Sequence, residues 1–188
     1  MGWHICIFFL LRLKGFIMIK QLIGLGLLCG TSLACANTFQ EQVECLTQNI
    51  YHEARGESIE GQYAVGLVTL NRVYSDKFPR RVNGVSASKS QRNDGNICHV
   101  VRDAKFENGR VALNACQFSW YCDGKSDKML DKHAKQTARK IAIDLIINRY
   151  FIEDFTHNAL HYHKDTIEPA WSAVFEVSTI IDQHIFYN

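Results

Sequence analysis

Residues 60–74 carry apolar side chains nearly all the way round a helical wheel, with Tyr63, Ala64, Val65, Leu67, Val68, Leu70 and Val73 spread over every face. A helix without a polar face reads as buried, with protein around it. The neighbouring segments read as elements of that surrounding body. Residues 40–54 place Val43, Leu46, Ile50 and Ala54 at the three-to-four spacing of one helix face, and Gly56 follows as a stop. Residues 127–149 repeat the pattern with Ala134, Ala138, Ile141, Ala142, Leu145 and Ile146, and Ser126 or Asp127 stands where a cap belongs. Phe78-Pro79 ends the buried helix. Residues 80–97 are polar and rich in Ser, Asn, Arg and Gly, and read as an exposed loop. Residues 98–106 form a short helix or strand, and Asn108-Gly109 marks a turn. After Asn158 the segments 160–163 and 174–186 are β-branched and aromatic, predicting two or three antiparallel strands with a turn at Asp182-Gln183. The expected class is α+β, mostly helical, with a small antiparallel β element at the C-terminal end. No internal repeat is visible.

A chain of 188 residues with 47% hydrophobic residues builds one packed domain. The formal charge of +2 excludes the electrostatic footprint of a nucleic-acid binder. Even that excess lies at the start of the chain. Residues 1–36 hold Arg12, Lys14, Lys20 and no acid, so the rest carries 18 basic against 19 acidic residues. Two apolar runs, 5–11 and 22–28, are each too short to span a bilayer. From Met18 onward, Lys20, an apolar stretch and Ala34-Cys35-Ala36 before Asn37 make the pattern of a secretory signal. Residues 1–36 are therefore expected to be a leader, with Met18 as the true start. Residues 37–188 are the domain, exported to the periplasm or cell envelope, with no lasting membrane insertion. An uncleaved anchor is the rival.

Of seven cysteines, Cys45, Cys98, Cys116 and Cys122 remain beyond the leader. An even number in an exported chain suggests two disulfides, and sequence leaves all three pairings open. Zinc is the alternative, but there is no C-x-x-C pair.

The densest chemical cluster is Tyr51-His52-Glu53-Ala54-Arg55-Gly56-Glu57. Glu53 falls at the C-terminal end of a helix, beside its apolar stripe. Apolar surroundings and the negative helix terminus both resist ionisation, which suits a general acid. The plainer alternative is a surface ion pair with Arg55 or Arg72. A metalloprotease H-E-x-x-H motif fails because Gly56 stands at the second histidine position. His161 and His163 share one strand face and could hold a metal, or simply be hydrogen-bonded. Cys116-Gln117-Phe118-Ser119-Trp120-Tyr121-Cys122-Asp123-Gly124 sets aromatics beside amide and hydroxyl groups, as sugar binding requires, or forms a stapled turn.

Four segments in order resemble the cell-wall hydrolase family typified by the spore cortex-lytic enzyme SleB. They are Ile50 through Glu57; Gly61-Gln62 through Val68 and on to Asn71-Arg72; Gln117-Phe118-Ser119-Trp120 with Cys122-Asp123-Gly124; and Leu160-His161-Tyr162-His163 with His184-Ile185-Phe186-Tyr187. The resemblance implies a lysozyme-like fold and cleavage of peptidoglycan glycan strands without a metal or other cofactor. It implies Glu53 as the catalytic acid, with Gln117, Ser119, Trp120, Tyr162 and Asn71 on the glycan and Arg55, Glu57 and His161 in support. The expected reaction is lytic transglycosylation by a monomer, leaving 1,6-anhydro-muramoyl ends. Hydrolysis as a muramidase or glucosaminidase, a zinc-dependent amidase or peptidase, and a non-catalytic murein-binding protein are the alternatives. Two departures stand out. Ser58 replaces the family's usual proline, and residues 83–97 resemble an insertion, expected to be a mobile loop near the cleft.

Overall fold

The computed structural model describes residues 21–78, 81–82, 85–86 and 95–188, with side chains described from Thr38 onward except over 79–94. The chain divides into two units, Met1–Asn37 and Thr38–Asn188. In the first, the backbone is helical from Gln21, and the run at 5–11 and Met18 lie outside the described residues. Among the described residues no helix is long and apolar enough to cross a membrane.

Helix α1 is Gln21–Ala54, and its last turns carry Val43, Leu46 and Ile50 into the core. Helix α2, Ile59–Tyr74, is the buried helix the pattern predicts. Its all-round apolar surface has a two-sided explanation. Leu67, Leu70 and Val73 join α1 and two later helices in the main core, while Ala64 and Val68 pack on Ala159 and Phe186 in a smaller one. Ser58 caps α2, its hydroxyl accepting from the Gly61 amide at 3.1 Å.

Gly66 marks the closest approach of the helices. A Cβ there would run into Leu145 Cδ1 and lie 3.2 Å from Ile50 Cδ1. Overpacking a core of this kind costs about 1–3 kcal/mol. Gly66→Val is therefore expected to lower the melting temperature by roughly 2–4 °C per kcal/mol lost. A thermal melt matching the wild type would mean that α1, α2 and the Leu145 helix are not held this tightly.

Beyond α2, the stretch expected to be an exposed loop contains regular structure among its described residues. β1 (Arg81–Val82) pairs antiparallel with β2 (Val85–Ser86), and Ile97 already opens helix α3 (Ile97–Val101). Residues 83–84 and 87–94 of the expected insertion lie outside the described residues. The segment 98–106 holds both candidates, the end of α3 and then β3 (Ala104–Glu107). β3 turns at Asn108 (φ 52°) and Gly109 (φ 75°) into β4 (Arg110–Cys116). Two successive left-handed residues match the twist of a hairpin, which is why Asn-Gly signals one.

Helix α4 is Lys132–Asn148, capped by Asp131, whose carboxylate accepts from the Ala134 amide. The expected cap at Ser126 or Asp127 is thus corrected by about one turn. Asp131 is equally suited to capping, and its own amide donates to the Tyr51 hydroxyl at 3.1 Å, while residues 126–131 stay outside the helix. The C-terminal sheet is as expected, with β5 (His161–Lys164), β6 (Val177–Ile181) and β7 (His184–Tyr187) in antiparallel order β5-β7-β6. Residues 174–176 lie outside the strands, after a short 3₁₀ turn, Ala170–Ala173.

The turn between β6 and β7 is clamped to the loop between α1 and α2. Asp182 (φ 49°) accepts from the Ser58 amide at 2.9 Å and its hydroxyl at 2.6 Å. The Gln183 amide donates to Glu57 at 3.3 Å. That clamp ties the sheet to the chain immediately past Glu53. Two disulfides, Cys45–Cys98 and Cys116–Cys122, select one of the three open pairings.

Candidate active site

Glu53 leaves α1 in its last turn, where the helix end meets the sheet. The Tyr162 hydroxyl, on β5, donates to Glu53 Oε2 at 3.1 Å. Protein packs densely around the carboxyl, and this burial raises its proton affinity above the ordinary value of 4.5. The Tyr162 hydrogen bond and the charges of Arg72 and Lys164 pull the other way, and burial prevails.

The plainer alternative, a surface ion pair, is not what the side chains do. Among the described residues Glu53 forms no ion pair. Arg55 lies over the Tyr51 ring, 5.1 Å from its centre. Arg72 is only 6% exposed. Its Nε donates to the Leu160 carbonyl at 2.7 Å, and its guanidinium lies over the rings of Phe78, Phe118 and Tyr162.

Two cavities meet at Glu53. One, about 610 Å³, is bordered by His52, Arg55, Trp120, Asp127 and Lys128. The other, about 460 Å³, is bordered by Arg72, Gln117, His161, Tyr162 and Trp171. Glu53, Ser119 and Lys164 line both. A carboxyl placed between two adjoining hollows faces the middle of an extended ligand rather than its end.

The walls differ in chemistry. In the smaller cavity, His161 stacks on Phe175 at 4.3 Å and packs against Trp171. Burial and the nearby Arg72 push its pKa down to about 4, so the ring is neutral at neutral pH. His163 is spent internally. Its Nδ1 donates to the Lys164 carbonyl, and its Nε2 accepts from the Tyr187 hydroxyl, both at 2.8 Å.

In the larger cavity Trp120 is 8% exposed. Its Nε1 donates to Asn49 at 3.0 Å, and Asn49 donates to Thr69 at 2.9 Å, a buried polar chain linking α1, α2 and the 3₁₀ turn Ser119–Cys122. The His52 ring lies parallel to Trp120 at 4.6 Å. His52 Nε2 donates to the Asp127 carbonyl at 3.2 Å.

Of the residues singled out in the sequence, Glu53, Arg55, Gln117, Ser119, Trp120, Tyr162 and His161 gather on this cleft. Two do not. Asn71 lines neither cavity, its amide donating to Asp154 at 2.8 Å and to the Ala159 carbonyl at 3.3 Å. Glu57 serves the turn clamp described above. Sequence reading missed His52 as a wall residue, Trp171, Lys164 and the buried cation Arg72. For Arg72 a signal existed, because a charge set between Leu70 and Val73 on an all-round apolar helix has no route to solvent.

A mostly helical α+β body with a small antiparallel sheet beside an extended cleft defines the lysozyme-like class. Residues 56–187 match the Cell Wall Hydrolase family profile. The chain belongs to the cell wall hydrolase family. The match opens at Gly56, so Glu53 lies just ahead of it. A spore cortex-lytic enzyme of Bacillus cereus is 46% identical over 148 residues, covering 78% of this chain and 44% of that protein. The spore cortex-lytic enzyme of Bacillus subtilis is 51% identical over 43 residues, covering 23% of this chain and 14% of its own. The chain thus spans less than half the length of these relatives. The catalytic domain of the germination-specific lytic transglycosylase SleB from Bacillus anthracis superposes with a TM-score of 0.53 at 27% identity, covering 79% of this chain and 95% of that domain.

Proposed function

We propose that this domain cleaves the glycan strands of peptidoglycan by lytic transglycosylation at the MurNAc-β-1,4-GlcNAc bond, with Glu53 as its acid and base. The observation that carries the reading is the placement of one sheltered carboxyl, Glu53, where two cavities join. A glycan strand lying through both would present a glycosidic oxygen to Glu53. The carboxyl donates its proton to that oxygen, and positive charge develops on the sugar ring. The substrate's own 6-hydroxyl then attacks C1 while the Glu53 carboxylate takes up the hydroxyl proton. One carboxyl suffices, because a nucleophile within the substrate reacts at a high effective concentration.

Two of the three aspartates on the larger cavity are engaged, since Asp123 accepts from the Lys125 amide at 2.8 Å and Asp131 caps α4, which leaves Asp127. The aromatic wall of His161 and Trp171 offers apolar faces to a sugar ring, and Gln117 and Ser119 offer polar groups to its hydroxyls. Asn71, bonded to the loop behind the cleft, is assigned to holding that loop. The signal-like start supports export to the cell envelope, where the substrate lies.

Mass analysis of digested peptidoglycan tests the reaction type. Products ending in an anhydro sugar are one water lighter than hydrolytic products and are the expected result. Hydrated ends alone would make the enzyme a hydrolase, with Asp127 on the larger cavity as the candidate for activating water. Tyr162→Phe leaves the carboxyl without its fixed donor. A hydrogen bond of about 1.4 kcal/mol corresponds to roughly a tenfold fall in kcat. Unchanged kinetics would remove Tyr162 from the mechanism.

A further inference from the structure

Arg72 lies buried beside the cleft and takes no part in the proton transfers of Glu53 described above. Its guanidinium is buried between three aromatic rings, and Nη1 has no hydrogen-bond partner. Burying a cation with unspent donors is costly, and structures keep such groups rarely. Cation–π contact with Phe78, Phe118 and Tyr162 offsets part of that cost. The remainder requires an anion, and of the carboxyl groups whose charge acts on Arg72, Glu53 does so more strongly than Asp103.

We infer that Arg72 is a positioning residue held behind Glu53 and Tyr162 to stabilise the carboxylate that exists only after Glu53 has given up its proton. Before transfer Arg72 faces a neutral acid, with buried Asp103 behind it. After transfer Arg72 and Glu53 form a charge pair. The interaction is thus stronger late in the step than at its start, which is the condition for accelerating it. The inference rests on Glu53 being the acid.

Other charges face Glu53, and they differ from Arg72 in exposure. Lys164 on β5 is exposed, as are Arg55 in the turn just past α1 and Lys125, Lys128, Asp127 and Asp131 across the larger cavity. Solvent screens these. His52 on α1 and Asp123 are partly exposed, and His161 on β5 and His184 on β7 favour their neutral forms through burial. Buried Asp103, after α3, faces Arg72 from behind and shares its field. Arg72 is the buried cation among the described residues of this cleft, and its effect should therefore persist in salt.

The experiment compares pH profiles of kcat/KM for the wild type, Arg72→Met and Arg72→Lys on purified peptidoglycan. Removing the charge is expected to move the alkaline limb upward by about one pH unit while the plateau falls at least tenfold, because a weaker acid is easier to keep protonated but slower to act. Arg72→Lys should keep the limb within a few tenths of the wild type. A folded Arg72→Met whose limb stays in place overturns the inference, whatever its plateau.

A second arm needs neither activity nor an altered Arg72. In Glu53→Ala the cation faces a vacated space, and formate is expected to bind there at least tenfold more tightly than to Glu53→Gln, read by NMR titration. Equal affinities overturn the inference even where Arg72→Met fails to fold. Retained activity in Glu53→Gln would instead sink the assignment of the acid, so the two failures are distinguishable.

Discussion

Glu53→Gln is expected to lower kcat/KM on purified peptidoglycan by about 10²–10⁴-fold, the range a general acid supplies. Glutamine keeps an oxygen to accept from the Tyr162 hydroxyl but has no proton of suitable acidity to give. The same substitution makes a second, independent prediction about stability. Burial raises the folded carboxyl's proton affinity above 4.5. Below that pH, folded and unfolded chains are both protonated and the group contributes nothing. As pH rises, the unfolded chain ionises first while the folded one keeps its proton, so the folded state binds more protons and stability falls with pH. The fall ends once pH passes the raised folded value. Thermal melts should therefore show the variant equal to the wild type near pH 4 and more stable at pH 7. Active Glu53→Gln would reject the acid, and a wild type more stable than the variant at pH 7 would reject its sheltered environment.

Much of the site follows from local pattern. The α1 stripe of Val43, Leu46 and Ile50 sets Glu53 at its edge, and Asn108-Gly109 and Asp182-Gln183 turn where their backbone preferences allow. What escaped the sequence depends on competition between equals or on distant partners. Asp127 and Asp131 are both competent caps, and only the Tyr51 hydroxyl, 80 residues away in sequence from Asp131, separates them. β4 shows no clean alternation, because neither of its faces is fully buried. For Arg72 the all-round apolar helix signals burial, but not that Phe78, Phe118 and Tyr162 close over its guanidinium. Trp120 reads as a stacking platform for sugar, yet Asn49 holds its indole nitrogen and His52 covers one face. The cleft therefore presents histidine and the tryptophan edge together, a pairing that no spacing rule connects.

The two disulfides are expected to separate stability from activity. Cys45–Cys98 spans 53 residues and joins α1 to α3 within the main core, whereas Cys116–Cys122 spans six. Loop entropy assigns about 4 kcal/mol to the first and about 2 kcal/mol to the second. For a domain of this size that is roughly 8–16 °C against 4–8 °C in melting temperature. Activity should rank them in the opposite order. The short bridge closes the turn that presents Ser119 and Trp120 to the cleft, so Cys116→Ala with Cys122→Ala should raise KM well below the melting transition. Cys45→Ala with Cys98→Ala, lying away from the cleft, should leave KM unchanged at low temperature and fail only on warming. Melts and kinetics on the two double variants decide it. Equal melting shifts would mean that the unfolded chain is not constrained in proportion to loop length, and a raised KM in the Cys45–Cys98 variant alone would mean that α3, not the 3₁₀ turn, governs the cleft.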